Sequence, residues 1–292
     1  MNFLEQVNKG NTKWWAYVLT IVVVLMSLII GSGVAGVGMQ IVRSQGVRNS
    51  TLDFIFLMIP FAFVLFGLMI AVKTIHRRKA RTIFTAREKF DWKRYLFAFG
   101  VHAIVLMISM VIAGFFGQDL YWIGKWETFF PLLIAALVMV PLQTAAEDAF
   151  FRGYLFQSFG KAFQHGGLSV LVTGVMFGMM HISNPEIELI GYKVLVYFIW
   201  SGLFLGIIAQ MDDGLELGMG YHAVNNLFGA VVVTNTWQVF QTDALLMDAS
   251  EPTFSWDNLL ALFIIQPVLT IIFAKVYKWK SWKTRLFSRT KV

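Results

Sequence analysis

With five histidines, at 76, 102, 165, 181 and 222, and no cysteine, the chain has few groups able to do chemistry. Two of those histidines stand in apolar stretches at helical spacing from another informative residue: Phe177-x-x-x-His181 and His222-x-x-x-Asn226. A third stretch, Glu147-Asp148-Ala149-Phe150-Phe151-Arg152, sets two carboxylates and a guanidinium among Leu, Val, Ala and Phe. Ionisable groups at membrane depth cost roughly 2.5–3.5 kcal/mol each on insertion scales, so they mark functional or tightly paired positions. Asp148 and Arg152 are i and i+4 neighbours that can pair. Glu147 points about 100° away on a helix and is free to meet a different partner. A structural ion-pair cluster clamping two helices accounts for this stretch taken alone. All three stretches together supply a carboxylate, two imidazoles and a carboxamide on separate helices. Amide hydrolysis uses such a set: a base for water, donors for the oxyanion, and a site held away from bulk solvent.

Other hydrolytic chemistries find no matching pattern. No histidine opens a His-Glu-x-x-His zinc helix, and no Gly-x-Ser-x-Gly elbow is present. Asp212-Asp213-Gly214 is short and hydrophilic and reads as a solvated turn, as does His76 among the arginines of its loop. His102, alone near the start of its helix, reads as a packed or interfacial residue.

The elements that must position these residues are membrane helices. Apolar residues make up 57% of the chain and charged ones only 14%, which excludes a soluble globular domain. Several runs reach the roughly 20 apolar residues that a spanning helix needs, and barrel-type alternation is absent. The fold class is therefore all-α: a polytopic membrane helical bundle of about eight transmembrane helices, over 15–42, 52–72, 95–116, 127–160, 168–181, 192–211, 218–233 and 259–277. The first run continues past the small residues at 31–36, which is too long for a signal peptide, and its glycines suit close helix packing. The formal charge of +7 is segregated into loops, most densely over 73–94 and in the tail from Lys278 to Lys291, while Asp243, Asp248, Glu251 and Asp257 form an acidic loop. That pattern is explained by the positive-inside rule without a nucleic acid partner, and it puts both termini in the cytoplasm. With no repeat or long linker, residues 1–292 read as one membrane domain. One geometric tension appears. Glu147 and His181 fall about 18–21 Å from the turn at 160–167, at 1.5 Å per residue, yet His222 lies only a turn into its own helix. Either the loop before His222 dips into the protein or the boundary is displaced.

Glu147-Asp148-x-x-x-Arg152, Phe177-x-x-x-His181 and His222-x-x-x-Asn226, in this order, resemble the three-motif pattern of the CPBP (CAAX protease and bacteriocin-processing, or Abi) intramembrane protease family. Gly153 and Leu155 resemble the usual continuation of its first motif. The resemblance covers about residues 130–235, a catalytic core to which the first three helices contribute nothing. Asp148 is a departure, since the family usually has a second glutamate there. The resemblance implies Glu147 as general base, His181 as its partner in positioning water, and His222 and Asn226 as ligands of the oxyanion or of a metal. Asp148, Arg152 and Phe177 would support them. Glu147, His181 and His222 could supply a zinc set with one open position, and a metal-free mechanism is equally compatible. The implied substrate is a membrane-associated peptide or protein, met from the lipid bilayer, and the implied setting a bacterial plasma membrane with peptide processing or bacteriocin self-immunity. A non-catalytic scaffold or immunity protein is the alternative. A proton-coupled transporter is the third reading, though the chain lacks paired broken helices in two halves.

Overall fold

In a computed structural model, each of the eight apolar runs is helical, in the expected order. Residues 2–116 and 119–289 are described; Lys291 of the tail and the side chain of Asp257 lie outside them. The helices are α1 Trp14–Ser44, α2 Ser50–Thr74, α3 Trp92–Phe115, α4 Trp126–Asp148, α5 Phe156–Phe163, α6 Gly166–Met179, α7 Pro185–Ile190, α8 Leu195–Asp212, α9 Glu216–Val231, α10 Trp256–Val276 and α11 Trp282–Phe287. A π-helical turn, Ala149–Leu155, joins α4 to α5, so that one helical rod runs over Trp126–Phe163. Among the described residues six helices are long and apolar enough to cross a membrane, and the chain is an integral membrane protein. The 14 residues of α6 and the 16 of α9 fall short of the roughly 20 that a span requires. Of the motif pairs, α9 carries His222 and Asn226, while α6 carries Phe177 and ends at Met179, two residues short of the expected end, so that His181 sits in the turn just past it.

Local chemistry sets several ends. Asn49 caps α2 by accepting from the Leu52 N–H, and Asp91 caps α3 by accepting from the N–H groups of Lys93 and Arg94. His165 caps α6 through Nδ1, which accepts from the Leu168 N–H. Past α6, Asn184-Pro185 starts the short α7. A three-stranded sheet was not anticipated: β1 Leu120–Trp122 pairs antiparallel with β3 Leu246–Asp248, which pairs parallel with β2 Val233–Thr234. Strands of two or three residues are too short to leave an alternation to read.

Small residues let helices approach where a site must be held. A Cβ on Gly202 would stand 2.5 Å from the Gly174 carbonyl oxygen, and one on Gly178 would stand 2.7 Å from the Ile199 nitrogen, so α6 and α8 touch backbone to backbone. In α1, Gly31 meets Pro60 of α2 in this way, whereas Gly33 and Gly36 face open space.

Two of the sequence expectations are corrected. His76 is not solvated. It is buried beneath α1: Nδ1 donates to the Asn11 carbonyl (2.7 Å) and Nε2 accepts from the Tyr154 hydroxyl (3.0 Å). Nor is the 212–214 turn a solvated loop. Asp212 is buried and accepts from Arg87 (3.0 Å) and Arg94, while Glu216, fully buried, accepts from Arg87 (3.0 Å). Arg87 of the loop before α3 and Arg94 in its first turn thus hold the start of α9 within the protein. With that turn buried and α9 starting at Glu216, two residues before the expected 218, His222 comes within 3.6 Å of Glu147.

Two measurements test this packing. Gly202→Val forces a side chain into the Gly174 carbonyl, and overpacking should cost about 1–3 kcal/mol, read as a lower melting temperature in detergent. Burial pulls the His76 imidazole below its ordinary range. The folded state therefore binds fewer protons there than the unfolded chain, so its contribution is complete above about pH 6.5 and is lost as pH falls through the depressed value. A melting temperature that declines below about pH 6.5, with a flatter decline in His76→Gln, is the expected result.

Candidate active site

The site grows from α4. Gln143 and Glu147 lie one turn apart, and Asp148 follows just before the π-helical turn. π-Turns within α-helices recur at functional positions. Asp148 is 2% exposed and uses both oxygens: Oδ1 accepts from Arg152 Nη1 (3.1 Å) and Oδ2 accepts from His222 Nδ1 (3.2 Å). The position at which the family pattern is broken is the one that joins two of the motifs. Arg152 is also buried, and its guanidinium lies 3.7 Å over the Phe177 ring, which brings in the third motif. Close packing at Gly153, whose Cβ would run into the Ile83 carbonyl oxygen, seats this segment against the loop after α2.

On its other side His222 faces the reactive end. Nε2 stands 3.6 Å from Glu147 Oε2 and 3.5 Å from Asn226 Nδ2. Asn226 Nδ2 donates to Gln143 Oε1 (3.0 Å), which orients the carboxamide. His181 donates from Nδ1 to the Phe177 carbonyl (2.8 Å), leaving Nε2 as its acceptor nitrogen, and its ring stacks on Phe198 at 4.1 Å. Phe177 stands between the two imidazoles, with ring centroids 4.8 Å from His181 and 6.0 Å from His222. Glu147, His181, His222 and Asn226 line one cavity of about 580 Å³, closed in part by Gln238 and Phe240 from the segment after α9.

All seven residues singled out in the sequence therefore converge. Glu147, Asp148, Arg152, Phe177, His222 and Asn226 form a connected set, and His181 reaches the same cavity across Phe177. Gln143 was missed, although a carboxamide one turn before Glu147 in an apolar helix is a legible signal. Asn225 was also missed; it links Asn226 (3.3 Å) to His102 (3.4 Å). His102 itself is a packed residue, stacked on Tyr221 at 3.9 Å. For the zinc set the donors fit less well. Among the described residues no three His, Asp or Glu side chains come close enough to hold a metal ion.

Chemically, the arrangement offers a carboxylate facing a cavity, an imidazole whose orientation is set by a buried aspartate, and a carboxamide with one N–H committed to Gln143 and its nitrogen 3.5 Å from His222 Nε2. Residues 126–228 match the family model for Rce1-like type II CAAX prenyl endopeptidases. The match takes in all three motifs and leaves out α1–α3, as the resemblance implied. Over 98% of its length the chain is also 26% identical to the uncharacterized protein YyaK of Bacillus subtilis (strain 168), of which 98% is covered. No solved structure matches.

Removing one partner of a buried ion pair costs about 3–5 kcal/mol. Asp148→Asn should thus lower the melting temperature strongly, and the double variant Asp148→Asn/Arg152→Met should recover part of the loss. Glu147→Gln, at a side chain 15% exposed whose contact with His222 is 3.6 Å, should melt within about 1 kcal/mol of the wild type. Thermal unfolding in one detergent separates these cases.

Proposed function

We propose that this chain is an intramembrane endopeptidase that hydrolyses a peptide bond in a membrane-associated peptide or protein. The observation that carries the reading is the line Asp148–His222–Glu147, with Asn226 beside it, inside a cavity within the bundle. Glu147 removes a proton from a water that His181 Nε2 holds by its second hydrogen. The hydroxide attacks the carbonyl carbon, and the oxyanion accepts from Nε2–H of His222 in its imidazolium form and from the Asn226 Nδ2–H beside it. Asp148 steadies that cation through Nδ1. Glu147 then passes its proton to the leaving amine as the C–N bond breaks, which restores the carboxylate. A metal is not needed for any of these transfers. Were zinc bound, Glu147 and His222 would be its nearest donors, and it would polarise the carbonyl.

In this reading residues 1–292 form one membrane domain with a catalytic core at 130–235, set in a bacterial plasma membrane with both termini cytoplasmic. Substrate enters from the bilayer. The test is cleavage of quenched, membrane-anchored peptides by purified protein in nanodiscs, with total metal measured on the same samples. Glu147→Ala and His181→Ala should each lower turnover about 10²–10⁴-fold, the range for lost acid–base help. Asn226→Ala should lower it about 10²–10³-fold, as for a missing oxyanion donor. Full turnover in all three variants, with unchanged melting, would end the catalytic reading and leave a scaffold in its place.

A further inference from the structure

The cavity that holds Glu147 has a second carboxylate in its wall. Glu186, in the first turn of α7, is 7% exposed and lines that cavity. Its Oε1 accepts from Asn184 Nδ2 (2.9 Å), whereas Oε2 is sealed from solvent and has no hydrogen-bond partner. An unpaired buried carboxylate oxygen is costly, and native structures rarely keep one without a use. Two further observations say what would satisfy it. Among the described residues the cavity lining includes two carboxylates, Glu147 and Glu186, and neither lysine nor arginine. Arg152, the nearest buried guanidinium of the motifs, is committed to Asp148 and the Phe177 ring. Glu186 also lies five residues beyond His181, just after Pro185, so one short turn carries both the water-positioning group and this carboxylate.

We propose that Glu186 receives a cationic group of the substrate, a lysine or arginine side chain or a free peptide amino terminus, and so directs cleavage to sites beside positive charge. This rests on the peptidase reading above. An ammonium or guanidinium entering the cavity supplies the donor that Oε2 lacks once the Glu186 carboxylate turns toward it, in a place where charge-assisted hydrogen bonds are strong. A metal ion is a poorer occupant, because no third acidic or imidazole donor stands close to Glu186 among the described residues.

The experiment uses full-length protein in nanodiscs and anchored peptides that differ only beside the scissile bond, where they carry Lys, Arg, norleucine or Glu. Each is made with a free and an acetylated amino terminus. In the wild type, kcat/KM for the Lys and Arg peptides should exceed that for norleucine about 10- to 100-fold, the worth of one charge-assisted hydrogen bond. If the side chain makes no difference but acetylation lowers kcat/KM about 10- to 100-fold, the amino terminus is the group recognised. Glu186→Gln should bring the ratio to within about threefold of unity, and Glu186→Lys should turn it in favour of the Glu peptide. Equal rates on charged and neutral peptides in the wild type, unchanged by acetylation, overturn the proposal, with or without a folded variant. So does an undiminished ratio in Glu186→Gln. If no peptide is cleaved, the peptidase reading has failed and binding decides this one. On Glu147→Gln protein the Lys peptide should bind about tenfold tighter than norleucine, and adding Glu186→Gln should erase the difference. Equal binding there overturns the proposal.

Discussion

One buried carboxylate holds the site together. Asp148 spends one oxygen on Arg152 and the other on His222, and Arg152 lies against Phe177. Through these contacts α4, α6 and α9 are fastened to one another at the level of the cavity. Taking an aspartate and an arginine out of water is expensive, and the pair repays that cost only when its geometry is good and its remaining lone pairs are used. Here both Asp148 oxygens are used, while Arg152 Nε and Nη2 have no acceptor and the ring face below the guanidinium offers partial compensation. The arrangement is thus poised: it specifies one packing of three helices and tolerates little change at its centre.

Neighbouring carboxylates in one helix turn have taken different work. Asp148 is inside the protein and faces a cation and an imidazole; Glu147 is the more exposed of the two and opens onto the cavity. Helical geometry produces the division, since successive side chains diverge by about 100°. What faces the ion pair becomes support, and what faces the open volume is left to act on a ligand. Asn226 repeats the logic on α9, anchored by Gln143 and lining the same cavity. Around them, α6 and α9 are too short to cross a membrane and are held by other means: α6 by backbone contact with α8, and α9 by Arg87 gripping Asp212 and Glu216.

Much of this is legible in the chain itself. The all-helical class, the order of the runs and the membrane setting follow from run length and composition, because a bilayer demands about 20 apolar residues from any spanning helix; the count of eight spans does not, since α6 and α9 are too short to cross. The chemistry-bearing residues are legible too, since polar groups at helical spacing in apolar runs are too costly to persist without a role or a partner. Gly-x-x-x spacing suggests close packing, but nothing in α1 tells Gly31, which meets Pro60, from Gly33 and Gly36, which meet nothing.

Tertiary structure decided the rest, because it depends on which distant side chains meet. His76 and Asp212 look solvated in their loops; both are buried by residues far away in sequence, Tyr154 in one case and Arg87 and Arg94 in the other. The small sheet joins segments more than a hundred residues apart and has no local signature. The substitution at Asp148 reads as a weakening of the motif, and the fold makes it the hub, since only the crossing of α4 and α9 brings His222 Nδ1 to its second oxygen. Sequence by itself determined which residues could do chemistry and that a membrane surrounds them. Three-dimensional packing determined which carboxylate supports and which is free, because burial and partnership are properties of contacts between helices and not of the residues that make them.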